Sequence, residues 1–197
     1  GRISFLYSIS LLNFLSSFFM LWSSGVMKNF YSETAPEDSH YMEFALEEAA
    51  RAGEKWEIPV GAVVVCRGRV IARAHNRREE LQSPTAHAEI TALESASSAL
   101  GSWRLNDCAL YVTLEPCIMC VGAILQARIS RLVFGCADPK GGAVESLYRL
   151  CEDPRLNHHP AVTRGVLEGE CGRILSEFFS CLRSKKVNSE WQMANSK

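Results

Sequence analysis

Two short motifs, His87-Ala88-Glu89 and Pro116-Cys117-Ile118-Met119-Cys120, decide the fold, because each opens a helix and a strand lies between them. Helical periodicity runs over residues 87–100, and an apolar helix is predicted over residues 117–127. The intervening run ALYVT at residues 109–113 has the β-branched and aromatic character of a strand. This order predicts that the histidine and the cysteines occupy comparable positions, each at the start of a helix that follows a loop.

The residue types in these motifs fit a catalytic zinc site. Cys117 and Cys120 are three residues apart and share a helical face. With the imidazole of His87 they supply three nitrogen and sulfur ligands, which leaves the fourth zinc position open for water. The positive end of a helix dipole favours thiolates at this position. Glu89 is close enough to take a proton from a zinc-bound water and return it to a substrate. A redox function for the two cysteines would leave His87 and Glu89 unexplained.

The flanking sequence predicts a three-layer α/β/α domain. Strands are predicted over residues 60–66, 70–74, 131–135 and 162–166, and helices over residues 43–55, 144–150 and 170–183, with a polar loop at residues 77–84. Alternation of strands with helices is typical of an α/β domain. The tight turn at Arg67-Gly68 makes the first two strands an antiparallel hairpin. We therefore expect a five-stranded mixed sheet, not an all-parallel one.

Composition excludes several classes of protein. The chain has 197 residues, 47% of them hydrophobic, which is enough for one domain with a core and excludes wholesale disorder. Its 21 basic and 22 acidic residues give a net charge of -1, which excludes a broadly basic nucleic-acid coat but not a local basic patch. Eight cysteines in this length are too dilute for a small disulfide scaffold.

The two ends of the chain differ from the rest. Residues 3–27 carry no charge, and three interpretations stay open for residues 1–27: a non-native extension, an organelle-targeting or anchoring segment, or part of the fold. The zinc-binding α/β domain is expected over residues 28–184, followed by a polar tail at residues 185–197. A cytoplasmic location is expected, or an organellar one if residues 1–27 are a targeting segment.

The two motifs together resemble the H-x-E…P-C-x-x-C signature of the zinc-dependent cytidine and nucleobase deaminases. Further segments resemble the bacterial-type tRNA adenosine deaminases, and the similarity covers about residues 40–184. These segments are residues 58–63 (IPVGAV), 74–77 (AHNR), 84–90 (PTAHAEI), 110–117 (LYVTLEPC), 134–143 (FGCADPKGGA) and 156–158 (LNH).

This resemblance implies hydrolytic conversion of adenosine to inosine at the wobble position, 34, of a tRNA anticodon, with one zinc ion per subunit. It implies His87, Cys117 and Cys120 as zinc ligands and Glu89 as the group that protonates the ring nitrogen and then the leaving ammonia, after attack on adenine C6. It further implies a homodimer and a tRNA anticodon stem-loop as partner. No membrane partner is expected for the catalytic domain.

The resemblance also implies four substrate-binding residues. Asn76 matches a position that hydrogen-bonds the flipped base, Asp138 and Lys140 match a loop near the flanking nucleotides, and Phe179 matches an aromatic residue of the last helix. The sequence departs from the family pattern at Cys136, Pro139 and His75, which puts flanking-base contacts in doubt but not the metal site. We interpret His75 as a packing or loop residue. The remaining six cysteines are expected to be unpaired.

Two other functions stay open at this point. One is a metabolic deaminase acting on a free base or nucleoside of the guanine or cytosine type, which needs no RNA surface. The other is a non-catalytic, zinc-stabilised subunit that partners an active deaminase. Glu89 argues against the second, because an inactive subunit has no use for a proton carrier.

Overall fold

The computed structural model describes residues 34–195, so the predicted extension at residues 1–27 lies outside the described part. Its elements, in chain order, are α1 (Asp38–Glu54), β1 (Gly61–Cys66), β2 (Arg69–His75), α2 (Arg78–Leu81), α3 (Ala88–Leu100), β3 (Cys108–Leu114), α4 (Ile118–Gln126), β4 (Arg131–Cys136), a 3-10 turn (Leu150–Glu152), β5 (Ala161–Thr163) and α5 (Glu168–Asn195). No helix among these residues is both long and apolar enough to cross a bilayer.

The five strands form one mixed sheet in the order β2-β1-β3-β4-β5, as the sequence predicts. β1 is antiparallel to both β2 and β3, whereas β3, β4 and β5 run parallel. As a result, the start of β1 lies at the same edge of the sheet as the ends of β2, β3 and β4. The segments that leave this edge carry residues 58–60, 76, 115–117 and 137–138, which come from four separate parts of the sequence.

Alternating side chains of the strands form two cores, one on each face of the sheet. Val64, Leu110 and Phe134 pack on the face that α3 and α4 cover. Val63, Tyr111 and Val133 pack on the face that α1 and α5 cover. The period-2 alternation of a strand thus gives the three-layer arrangement.

α1 lies against β1 at backbone distance, and Gly61 makes this possible. A Cβ atom at Gly61 would overlap the carbonyl oxygen of Ala45. The amide of Gly61 donates to Thr113 Oγ1 (3.2 Å), which ties the start of β1 to the end of β3. This close packing fixes the sheet edge from which the site is built.

Three local predictions are wrong. The helix expected over residues 144–150 is a series of turns, because a buried carboxylate described below accepts the amides of residues 144–146 that a helix would use. The polar loop at residues 77–84 contains the single-turn α2, whose Glu80 amide donates to the buried Glu57 (2.7 Å). The last helix is longer than expected and continues through the predicted tail to Asn195.

A buried carboxylate fastens α1 to the sheet. Asp38 is fully buried and accepts hydrogen bonds from Arg131 (2.6 and 2.8 Å) and from the Tyr111 hydroxyl (3.0 Å). We expect Asp38→Ala to lower the free energy of unfolding by about 3 kcal/mol, the lower end for a broken buried pair, since it leaves the partly buried Arg131 guanidinium without its carboxylate. Urea unfolding measures this difference.

The matched control is Asp107→Ala, which breaks the exposed ion pair with Arg67. That change should cost less than about 1 kcal/mol, because exposed pairs are screened by water. Equal losses in the two variants would show that the Asp38 pair contributes no more than a surface contact.

Candidate metal centre and active site

Three potential metal ligands meet where α3 and α4 begin. His87 occupies the N-cap position of α3 and Cys117 the N-cap position of α4, and Cys120 lies in the first turn of α4. The Nδ1 atom of His87 is 3.8 Å from Cys117 Sγ and 3.5 Å from Cys120 Sγ, and the two sulfur atoms are 3.6 Å apart. The predicted ligands are therefore brought together by two helix starts from distant parts of the chain.

This donor set fits a zinc ion. Ligands at the usual zinc–sulfur and zinc–nitrogen distances of a tetrahedral site lie about 3.6–3.8 Å from one another, which matches the three separations. Among residues 34–185, whose side chains the structure describes, this is the single group of three such residues with ligand atoms within 4.8 Å of one another. Three ligands leave one tetrahedral position for water, the pattern of catalytic zinc.

The electrostatics of the cluster favour metal binding. The hydrogen bond with Cys120, reinforced by the neighbouring His87, lowers the pKa of the Cys117 thiol to about 3. The same bond and burial raise the pKa of Cys120. Metal ligands of this type bind as thiolates, so binding of a divalent cation at this cluster is coupled to the loss of thiol protons.

Glu89 lies in the first turn of α3, beside the ligands, and is only 4% exposed. Burial raises the pKa of its carboxyl group above the ordinary range. It lines a cavity of about 180 Å³ together with His87 and Cys117. A buried carboxyl at the floor of a small pocket is the arrangement expected of a group that exchanges protons with a bound ring.

The same pocket contains Asn76 and Asp138, and Ile58 and Val60 form an apolar wall. Asn76 is 5% exposed, and its Nδ2 donates to Glu57 Oε2 (3.1 Å). This bond fixes the orientation of the amide without help from a ligand. The pocket has room for one planar base but not for a base pair.

Lys140 and Phe179 lie outside the pocket, in an adjoining groove of about 560 Å³. The groove and the pocket share Ile58, Leu114 and Asp138, so they form one continuous depression. The four substrate-binding residues predicted from the sequence therefore fall into two pairs in the structure. Asn76 and Asp138 line the pocket, whereas Lys140 and Phe179 line the groove.

Sequence analysis missed Glu115, which is 2% exposed and organises the loop after β4. Its carboxylate accepts the amides of Asp138 (3.0 Å), Val144 (3.0 Å), Glu145 (2.8 Å) and Ser146 (3.0 Å), and the Ser146 hydroxyl. Although burial opposes ionisation, these hydrogen bonds lower the pKa of the Glu115 carboxyl. The sequence did contain a signal for Glu115, because an acidic residue directly after a buried strand must accept hydrogen bonds from nearby donor groups. The donors themselves cannot be read from the sequence.

Asp138 also stabilises its own loop. Its Oδ1 accepts the backbone amide of Lys140 (3.0 Å). Two carboxylates therefore hold the loop: Glu115 accepts its amides from outside the loop, and Asp138 accepts an amide within it. The second carboxylate oxygen of Asp138 makes no hydrogen bond among those described for the side chain, and the residue borders both the pocket and the groove.

The other histidines have different roles. His75 packs towards α1, where its Nδ1 lies 3.0 Å from Glu48 Oε2, which supports its interpretation as a packing residue. His158, in the LNH segment, forms a hydrogen bond through Nε2 with the carbonyl oxygen of Ile129 (2.6 Å), in the connection between α4 and β4. The six cysteines outside the cluster are all free, as expected.

Comparisons with known proteins agree with this geometry. Residues 35–136 match the family model described as the cytidine and deoxycytidylate deaminase zinc-binding region. The chain is 52% identical over 150 residues to the tRNA-specific adenosine deaminase of Bacillus subtilis, covering 76% of this chain and 93% of that one. It is 54% identical over 152 residues to that of Agrobacterium fabrum, covering 77% and 98%.

Solved structures of deaminases share the fold of this chain. A structure from a study of A-to-I editing by tRNA:A34 deaminases at the wobble position is 55% identical, with a TM-score of 0.68, and the match covers 70% of this chain and 99% of that one. A guanine deaminase from Nitrosomonas europaea is 28% identical, with a TM-score of 0.62, covering 76% and 87%.

Proposed function

The chain belongs to the tRNA-specific adenosine deaminases of the cytidine and deoxycytidylate deaminase zinc-binding family, and on this basis we propose that it converts adenosine to inosine at the wobble position of tRNA anticodons. The observation that carries the proposal is the cluster of His87, Cys117 and Cys120 with the buried Glu89 beside it, at the floor of a pocket that fits one base.

The reaction consumes water and adenosine and releases ammonia and inosine. His87, Cys117 and Cys120 would hold zinc. When bound, zinc would lower the pKa of a water molecule, so that near neutral pH the water can lose a proton and act as the nucleophile. Glu89 accepts a proton as the new bond to adenine C6 forms. It gives this proton to the ring nitrogen. It then takes the second proton from the oxygen now bonded to C6 and gives it to the amino group, so that the bond from C6 to the amino nitrogen breaks and ammonia leaves. One carboxyl group therefore serves several proton transfers, which its burial next to the cluster permits.

The pocket positions the base. Asn76, held by Glu57, presents a fixed amide to the base edge, and Ile58 and Val60 exclude water from the ring faces. A base must leave its stack to enter such a pocket, and an anticodon loop lowers that cost because it is already single-stranded. The groove that continues from the pocket offers space for the nucleotides that remain attached to the base.

Deamination of a free base is the second candidate, because the fold also matches a guanine deaminase. The groove with Lys140 and Phe179 favours RNA, since a free base needs no surface beyond the pocket. Ammonia release from an anticodon stem-loop, guanine, cytosine and adenosine separates the two functions. We expect activity on the stem-loop alone. Activity of this chain without any other protein excludes the non-catalytic subunit.

Asp138 gives a test of RNA recognition. We expect Asp138→Ala to retain zinc and fold but to lower kcat/KM on an anticodon stem-loop by about 5- to 30-fold. This corresponds to about 1–2 kcal/mol, towards the lower end for a hydrogen bond to a charged group. The basis is that the carboxylate can accept a bond from a ribose 2′-hydroxyl, which distinguishes RNA from DNA. Steady-state kinetics on matched RNA and DNA stem-loops measure the effect.

Lys140→Ala is the companion variant. Because its ammonium group would meet a phosphate, its loss should chiefly flatten the dependence of binding on salt. If both variants lose equally on RNA and DNA and the salt slope stays unchanged, the two residues serve only to order the loop that Glu115 holds.

We also propose a homodimer. α4 carries the exposed Ile118, and an apolar groove of about 630 Å³ between α3 and α4 includes Leu93, Ala123 and the half-exposed Trp103. An apolar helix face of this kind is typical of a surface covered by a partner, and a second copy of the chain is the occupant that we propose. Because the proposed substrate is tRNA, we also propose a cytoplasmic location, or an organellar one if residues 1–27 are a targeting segment.

A further inference from the structure

Trp56 is held in an unusual backbone conformation in the connection between α1 and β1. Its φ is +63°, in the left-handed region that bulky residues rarely adopt. Its side chain is nevertheless 48% exposed, so burial of the indole does not explain why the residue is placed there. Backbone strain at an exposed aromatic residue, two positions before the pocket residue Ile58, suggests a functional use.

The ring of Trp56 belongs to a row of three aromatic side chains. Its centroid is 6.4 Å from that of Phe178, which is 5.6 Å from that of Phe179. Phe179 is 40% exposed and lines the groove. This aromatic row, Phe179-Phe178-Trp56, therefore connects the groove that Phe179 lines with the exposed indole of Trp56.

Positive charges accompany the row. Lys185 Nζ lies 3.0 Å from the centroid of the Trp56 ring, and Arg183 and Lys140 line the groove beside Phe179. Asp138 is the acidic side chain of that groove. Exposed aromatic rings interleaved with cations are the features that bind single-stranded nucleic acid, since bases stack on the rings and phosphates meet the cations.

We propose that the aromatic row is a second RNA-binding surface, on which an unpaired base of the anticodon loop next to the target adenosine stacks, with Lys185 and Arg183 contacting its phosphates. The inference rests on the proposed function, because the occupant is the remainder of the same RNA. Continuity with the pocket and complementary charge favour this occupant over a protein segment or a second copy of the chain.

Trp56→Gly tests the proposal. Glycine adopts a positive φ freely, so the variant should fold with an unfolding midpoint that is no lower than that of the wild type. Loss of one stacking platform should raise KM for an anticodon stem-loop about 5- to 100-fold while kcat and zinc content stay unchanged. Trp56→Phe keeps an aromatic ring and should recover most of the affinity.

The matched control is Arg67→Gly, at the hairpin turn between β1 and β2. Arg67 also has a positive φ (+48°) and carries a positive charge, but it lies at the opposite end of the sheet from the pocket. Its KM should equal that of the wild type. If Trp56→Gly instead lowers the unfolding midpoint and leaves KM unchanged, Trp56 merely anchors α5 through Lys185 and the proposal is wrong.

Two further outcomes are distinguishable. A change in chain association in Trp56→Gly, with KM unchanged, would assign the row to a second copy and overturn the proposal. If the wild-type chain deaminates no stem-loop at all, the proposed function itself fails. An active wild type with equal KM values for wild type, Trp56→Gly and Arg67→Gly rejects the aromatic row alone.

Discussion

Glu89→Ala is expected to retain its zinc and its fold while the turnover rate falls by about 10⁴-fold or more. Removal of a general acid or base commonly costs about 10²- to 10⁴-fold. The upper end applies here because the same carboxyl group, 4% exposed at the floor of the pocket, serves every proton transfer of the reaction. Single-turnover rates on a stem-loop, together with zinc content and thermal unfolding, measure the effect.

Two variants sharpen this test. Glu89→Gln preserves the shape of the side chain but not its proton transfer, and should be as inactive as the alanine variant. Glu170→Ala removes an exposed acid from the first turn of α5 and should leave the rate unchanged. A near-normal rate in either Glu89 variant would contradict the role assigned to the carboxyl group.

Replacement of Cys117 and Cys120 by alanine together is expected to abolish zinc binding, and activity with it. The wild type should carry about one zinc per chain, because three ligands at these spacings make one site. The double variant keeps only His87, and a lone imidazole binds zinc too weakly to survive dialysis. Elemental analysis after dialysis gives the metal content directly.

Cys66→Ala with Cys181→Ala provides the control, since it removes two thiols that lie outside the cluster. This variant should hold as much zinc as the wild type. If the Cys117 and Cys120 double variant also retained its zinc in full, the metal would have to bind elsewhere in the chain.

The metal cluster could be predicted from sequence because each of its two halves is a short local motif, although the approach of His87 to the cysteines across 30 positions is itself tertiary. A histidine and a pair of cysteines three residues apart, each at the start of a helix, define their own geometry once the helices are recognised. The sheet could be predicted for the same reason, since alternating apolar residues identify each strand and the hairpin turn identifies the antiparallel pair.

The residues that support the site could not be predicted, because their contacts are tertiary. Glu57 reaches Asn76 across 19 positions of sequence, and Glu115 reaches residues 144–146 across about 30. The same Glu115 contacts explain why the helix expected over residues 144–150 is absent. A carboxylate that takes up consecutive amides leaves none for a helical turn.

Substrate residues fall between these cases. Phe179 could be singled out because the family resemblance matches it to an aromatic residue of the last helix. Trp56 could not, since a positive φ at a non-glycine residue has no signature in the sequence. The division of the four predicted substrate residues between a pocket and a groove likewise required the arrangement of the loops at one sheet edge.

The most direct test of the proposed function is the sequence of tRNA after incubation with the purified chain. Inosine pairs with cytidine, so reverse transcription records it as guanosine at the edited position. We expect this change at the wobble adenosine with the wild-type chain and none with Glu89→Ala. An unchanged wobble adenosine, with ammonia released from guanine or another free base by the same preparation, would contradict the proposal.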